Sequence, residues 1–173
     1  MSPCSAWSLD RYLQIHNTRK MKLVVGLGNP GVKYALTRHN VGFLFIDYLV
    51  ENHLIDKQIK TLKPDTFMNR SGLAVVKELQ FYKLKPADLI VIHDDLDLRL
   101  GEYKIQLGKG PKLHNGVESV EQSLGSKEFW RIRIGVDNRD PEKRVSGEHY
   151  VLQPFTLAEL TLLKQTVFPK IKI

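Results

Sequence analysis

Residues 21–31 read MKLVVGLGNPG, a short β-rich run that breaks into a glycine loop. Lys22–Gly26 has the composition of a buried strand. Gly26, Gly28 and Gly31 then match the G-x-G-x-x-G spacing found after the first strand of dinucleotide-binding folds. In those folds the helix begins inside the glycine motif, so that its first N–H groups face the pyrophosphate. Here helical spacing begins only near Val41, with Leu44, Phe45, Tyr48 and Leu49 behind Asn40, a candidate N-cap. The intervening VKYALTRHN holds the helix dipole away from the glycines. Asp47 and Glu51, at the distance of a ribose carboxylate, fall inside the helix. The motif therefore does not identify a nucleotide site, and a nicotinamide-dependent oxidoreductase has no other support in the sequence.

Working outward, Lys57–Leu62 reads as a strand ended by Pro64, and FMNRSG feeds a helix over Gly72–Leu84 with Val75, Val76 and Leu79 inward. Asp88–His93 (DLIVIH) is almost wholly apolar and reads as the central strand. Glu102–Leu107 alternates as a strand, Asn115–Leu124 has a helical apolar face, and a last helix starts near Thr156. Phe129–Val136 (FWRIRIGV) alternates apolar and basic residues, placing Arg131 and Arg133 on one face. Strands alternating with helices predict an α/β fold: a single-domain three-layer sandwich whose mixed, mostly parallel, twisted sheet carries helices on both faces.

The chain has 173 residues, enough for one domain with a full core. Its net charge of +7 favours a polyanionic partner such as nucleic acid. No apolar run is long enough to span a membrane. The single cysteine, Cys4, excludes an internal disulfide and a multi-cysteine metal site, in keeping with a reducing, cytoplasmic setting. Residues 1–20 do not join the α/β pattern and read as a disordered N-terminal extension, with the domain occupying residues 21–173 and Met21 as its natural start.

GLGNPG, RHNVG, FMNRSG, HDDLDL, LHNG and FWRIRIGV occur in this order between Lys22 and about Leu152. In this the chain closely resembles the bacterial-type peptidyl-tRNA hydrolase family. The resemblance implies a monomeric enzyme that cleaves the ester between a peptide and the 3′ end of tRNA, without metal or organic cofactor. It also implies departures. The segment between the first helix and FMNRSG is short by about one strand, the loop before LHNG is poorer in glycine, and the C-terminal helix is incomplete. A relative that binds RNA without cleaving it is the alternative these departures leave open.

Ester hydrolysis needs an activated nucleophile, a donor for the oxyanion, and contacts that position the substrate. There is no G-x-S-x-G elbow, so water is the natural attacker. His39 is the candidate general base, since an imidazole titrates near neutral pH. The resemblance implies that Asp94 orients it, fixing its tautomer and stabilising the imidazolium. Taken alone, HDDLDL also reads as acidic turn chemistry, and the neighbouring His93 reads as structural. Asn29, Asn69 and Asn115 carry amides that both donate and accept. By resemblance Asn29 and Asn69 line the peptide and ester site, and Asn69 or Asn115 puts a donor near the carbonyl oxygen. Tyr34 and Met68 match residues lining that site, although Met68 also suits core packing. Lys104, Arg131 and Arg133 are the expected contacts to tRNA phosphate. Where the family often has K-x-K this chain has Lys104-Ile105-Gln106, so the resemblance leaves that half of the clamp to Lys104, Lys109 or Lys112. The histidines show no metal-ligand spacing.

Overall fold

KLVVG forms strand β1 (Lys22–Gly26), buried at every residue, in a computed structural model that describes residues 20–140, 142 and 145–173. The other strands are β2 (Ile59–Leu62), β3 (Leu89–Arg99), β4 (Tyr103–Leu107) and β5 (Trp130–Asp137). The sheet order is β2-β1-β3-β5-β4, parallel throughout except for the antiparallel β4–β5 pair. Helices α1 (Val41–Glu51), α2 (Ser71–Phe81), α3 (Asn115–Leu124), α4 (Gly147–Val151) and α5 (Leu157–Leu162) follow in chain order, and α5 runs on through helical turns to Lys170.

Alternate strand residues serve opposite faces. Val24, Ile90, Ile92, Ile132 and Ile134 pack with Phe45 and Leu49 of α1 and with Leu163 and Phe168 beyond α5. Leu23, Val25, Leu89 and Val91 pack with Val75 and Leu79 of α2 and with Val117 and Val120 of α3. The result is the expected three-layer α/β sandwich.

The glycines of the opening stretch let backbone approach backbone. A Cβ on Gly26 would lie 2.3 Å from the Gly42 carbonyl oxygen, and one on Gly42 would lie 2.5 Å from Leu27 N and from Ile92 O. The first turn of α1 is thus pressed onto β1 and β3. This approach carries His39, two residues before α1, towards the open edge of β3. Gly26 pairs with Ile92, and β1 ends there, so among the described residues β3 has no strand neighbour on that side from His93 onward.

Four features differ from the sequence expectation. β3 does not stop at His93 but continues through DDLDLR, because the buried carboxylates of Asp94 and Asp95 find cationic or N–H partners. Asn40 does not cap α1; its side chain instead grips Asn29, donating to the carbonyl at 2.9 Å and accepting from the N–H at 2.9 Å. The short helix α4 has no sequence counterpart above, and the helix expected over Gly72–Leu84 is α2, ending at Phe81. The expected extension, residues 1–20 with Cys4, lies outside the described residues apart from Lys20, whose Nζ is 2.7 Å from Asp88 Oδ2.

Gly42→Ala forces strand or helix backbone to move. It should destabilise the chain by about 1–3 kcal/mol, read as a lower urea midpoint at unchanged slope. A shift below about 0.5 kcal/mol, the range of an ordinary surface substitution, would contradict this packing.

Candidate active site

Asp94 lies on β3, 2% exposed, just past the end of β1. One of its oxygens, Oδ1, is 2.9 Å from His39 Nδ1 and 2.8 Å from His114 Nε2. His39 belongs to the helical turn Arg38–Asn40 that leads into α1. His114 immediately precedes α3 and caps it: its Nδ1 accepts the backbone N–H groups of Gly116 at 3.1 Å and Val117 at 3.3 Å. That role keeps a lone pair on His114 Nδ1 and leaves the ring proton on Nε2, pointing at Asp94. A carboxylate oxygen can accept both ring N–H groups, so His39 presents Nδ1–H to Asp94 and a lone pair on Nε2. Nε2 of His39 has no partner among the described residues, and its side chain is 12% exposed.

The electrostatics agree with this division. Burial alone disfavours the His39 cation, but the Asp94 charge and hydrogen bond outweigh it and raise the pKa above 6.5. Burial works against the Asp94 anion as well, yet the two imidazoles hold its pKa well below the usual carboxylate range. His93 points to the α2–α3 side of the sheet. It donates Nδ1–H to the Asp94 carbonyl at 2.7 Å, and burial pushes its pKa down to about 3, with His114 contributing. It is a neutral wedge.

Asn29 lies in the loop after β1, 8% exposed. Its Oδ1 accepts the Met68 N–H at 2.8 Å, and its own backbone is held by Asn40. With the Asn29 N–H already bonded to Asn40, this part of the loop does not offer a phosphate cradle. Met68 is buried against Leu27 and α3 neighbours, and its sulfur would lie 2.4 Å from a Cβ built on Gly116. It packs the start of α2 onto the start of α3. Asn69 and Asn115, next to Met68 and His114, are exposed at these two adjoining helix starts. Tyr34 is half-buried, with its ring edge-on to Phe67 at 6.5 Å.

Lys104, Gln106, Arg131 and Arg133 share the α2–α3 face of the sheet, with Lys104 opposite Arg133 and Gln106 opposite Arg131. The expected open arginine face is not what the fold forms. Arg131 is 2% exposed and donates to the Gly110 carbonyl and, at 2.8 Å, to Glu121. Arg133 is 9% exposed; its Nε donates to Asp95 at 2.6 Å and its Nη1 to Gln106 at 2.6 Å. Lys104, Lys109 and Lys112 are exposed.

His114 is a site residue that the sequence pattern does not single out. Its signal was position: a polar residue just before a helix whose apolar face begins at Val117. His39, Asp94 and His114 also form the one group among the described residues with donor atoms close enough, within 4.8 Å, to hold a metal. A ligating His114 would need its lone pair on Nε2, whereas the α3 N–H groups require it on Nδ1. The three side chains fit a hydrogen-bonded chain, not a metal centre.

An imidazole oriented by a buried carboxylate, set past the carboxyl end of a parallel strand, is equipment for general-base hydrolysis on an α/β sheet. Comparison with known proteins gives the family. The peptidyl-tRNA hydrolase family model matches residues 23–172. The peptidyl-tRNA hydrolase of Desulfitobacterium hafniense (strain Y51) is 38% identical over 168 residues, covering 88% of this chain and 90% of its own. That of Aquifex aeolicus (strain VF5) is 42% identical over 164 residues, covering 85% and 84%. The crystal structure of peptidyl-tRNA hydrolase from Acinetobacter baumannii superposes with a TM-score of 0.71 at 33% identity, covering 85% of this chain and 84% of that one. The chain belongs to the peptidyl-tRNA hydrolase family.

The paired pKa directions make a test that needs no substrate. By NMR titration His39 should ionise above the ordinary 6.5 in the native chain and below it in Asp94→Asn, where burial acts alone. An unchanged His39 titration in the variant would remove Asp94 as its partner.

Proposed function

We propose that this chain hydrolyses the ester between peptide and tRNA in peptidyl-tRNA, releasing tRNA for reuse in translation. The observation that carries this reading is His39, whose Nδ1 lies 2.9 Å from buried Asp94 and whose Nε2 has no partner among the described residues. Water attacks the ester carbonyl carbon while His39 Nε2 takes its proton. The tetrahedral oxyanion is held by an amide N–H of Asn69 or Asn115. Collapse breaks the bond to the ribose oxygen, which receives the proton back from the imidazolium. Asp94 stabilises that imidazolium and is not itself protonated. Asn29, fixed by Asn40 and Met68, keeps its Nδ2 for the peptide end, and Tyr34 with Phe67 forms an apolar wall there.

The tRNA is met by the exposed lysines 104, 109 and 112. Contact with Arg133 requires a phosphate to take the place of Asp95 or Gln106 on its guanidinium, and Arg131 serves the loop above it. The family resemblance further supports action as a monomer in the cytoplasm. No helix among the described residues is long and apolar enough to cross a membrane.

Release of the blocked amino acid from N-acetyl-aminoacyl-tRNA should fall by about two orders of magnitude or more in His39→Ala, with tRNA binding retained. Near-normal release would remove His39 from its role, and a folded native chain that binds tRNA without release would replace the hydrolase with an RNA-binding relative. Binding should weaken steeply with salt, because phosphate contacts release counterions. A flat salt response would contradict the lysine surface.

A further inference from the structure

Arg38, the residue before His39, is buried, and nothing in the hydrolytic scheme uses it. Its Nη2 donates to both oxygens of Glu159 at 2.8 Å, and its Nη1 donates to the carbonyls of Pro154 at 2.7 Å and Gln153 at 3.3 Å. The guanidinium carbon lies 4.3 Å from the ring centre of Tyr150 and 5.2 Å from that of Phe155. Backbone bonds run alongside, from Arg38 N to Gln153 O at 3.1 Å and from Phe155 N to Leu36 O at 2.9 Å. Glu159 is fixed in turn: it accepts from Thr156 N at 2.8 Å as the capping box of α5, and from Asn138 Nδ2 at 3.3 Å.

His39 therefore sits between two anchors. On one side Asn40 is bound to Asn29, and on the other Arg38 is bound to the segment from Tyr150 to Glu159. We propose that the Arg38–Glu159 pair sets the position of His39, so that Arg38 is a positioning residue through which the C-terminal segment acts on the base. This inference rests on His39 being the base. A surface ion pair would be too weak for such a task, but this one is buried, engages both carboxylate oxygens through Nη2 and is enclosed by two aromatic rings. Breaking it leaves a charge in the interior and obliges the turn to move. The groups facing the His39 ring are Asp94 from β3 and His114 ahead of α3, whose ring centre is 4.9 Å away. Any displacement of the turn is thus read out at the His39–Asp94 bond.

Glu159→Gln keeps an acceptor for the Thr156 cap and removes the charge. Arg38→Met/Glu159→Gln also removes the stranded cation and fills the space between Tyr150 and Phe155, so that stability recovers relative to the single variant. In both, kcat for peptidyl-tRNA should fall about 10- to 100-fold, the effect of a small misplacement, with KM within about twofold, as expected for loss of an interaction felt in the transition state. The NMR titration of His39 should move to lower pH as its contact with Asp94 loosens. If kcat and titration return to native values in the double variant along with stability, the pair only supports folding and the proposal is overturned. A His39 titration that stays in place also overturns it, whatever kcat does. A titration that moves while hydrolysis does not upholds the tie and removes His39 as the base.

Discussion

One carboxylate oxygen, Asp94 Oδ1, accepts N–H groups from two imidazoles that arrive on different elements. His39 comes from the turn before α1 and His114 from the turn before α3, and these helices lie on opposite faces of the sheet. A buried anion with two charge-assisted or polarised donors is satisfied; with either donor removed it is a liability in a low-dielectric interior. The positions of both helix starts at the open edge of β3 therefore depend on this shared acceptor. So does the direction in which the free nitrogen of His39 points.

The remaining polar groups near the site follow the same rule of mutual satisfaction. Asn40 and Asn29 exchange bonds, and Asn29 passes the chain on to Met68, so the loop after β1 holds α1 and α2 in register without regular structure. Arg131 and Arg133 are taken up by Glu121, Asp95, Gln106 and the Gly110 carbonyl. A Cβ on Gly110 would lie 2.4 Å from the Arg133 guanidinium carbon, so the loop that leads to His114 rests directly on this cation. Charges that look like an RNA surface in the sequence are used to hold the loop that delivers the second imidazole.

Elements whose identity is set by local pattern were legible in the sequence. β1, the apolar half of β3, β5, α1 and α3 each show a buried face at the right period, and the apolar density of LIVI marks a central strand. His39 and Asp94 were legible as chemistry through the resemblance. What could not be read is who satisfies whom across the chain. HDDLDL has turn-forming residues, and only the arrival of His39, His114 and Arg133 makes it the continuation of a strand. Asn40 has the residue type and place of an N-cap, but the loop after β1 offers its amide two backbone partners at once. His114 stayed hidden because histidine is an uncommon cap and its second bond is made to a residue far away in sequence. Arg131 and Arg133 alternate as a solvent face would, and their burial is decided by Asp95 on β3 and Glu121 on α3, partners that the alternation within the strand does not reveal.

The tautomers of the two histidines test this account most directly. Long-range ¹H–¹⁵N correlation of the histidine rings, at a pH above the His39 titration, reports which nitrogen carries the proton in each. The shared-acceptor geometry gives Nδ1–H for His39 and Nε2–H for His114. His39 found as Nε2–H, or His114 protonated on both nitrogens at that pH, would contradict it.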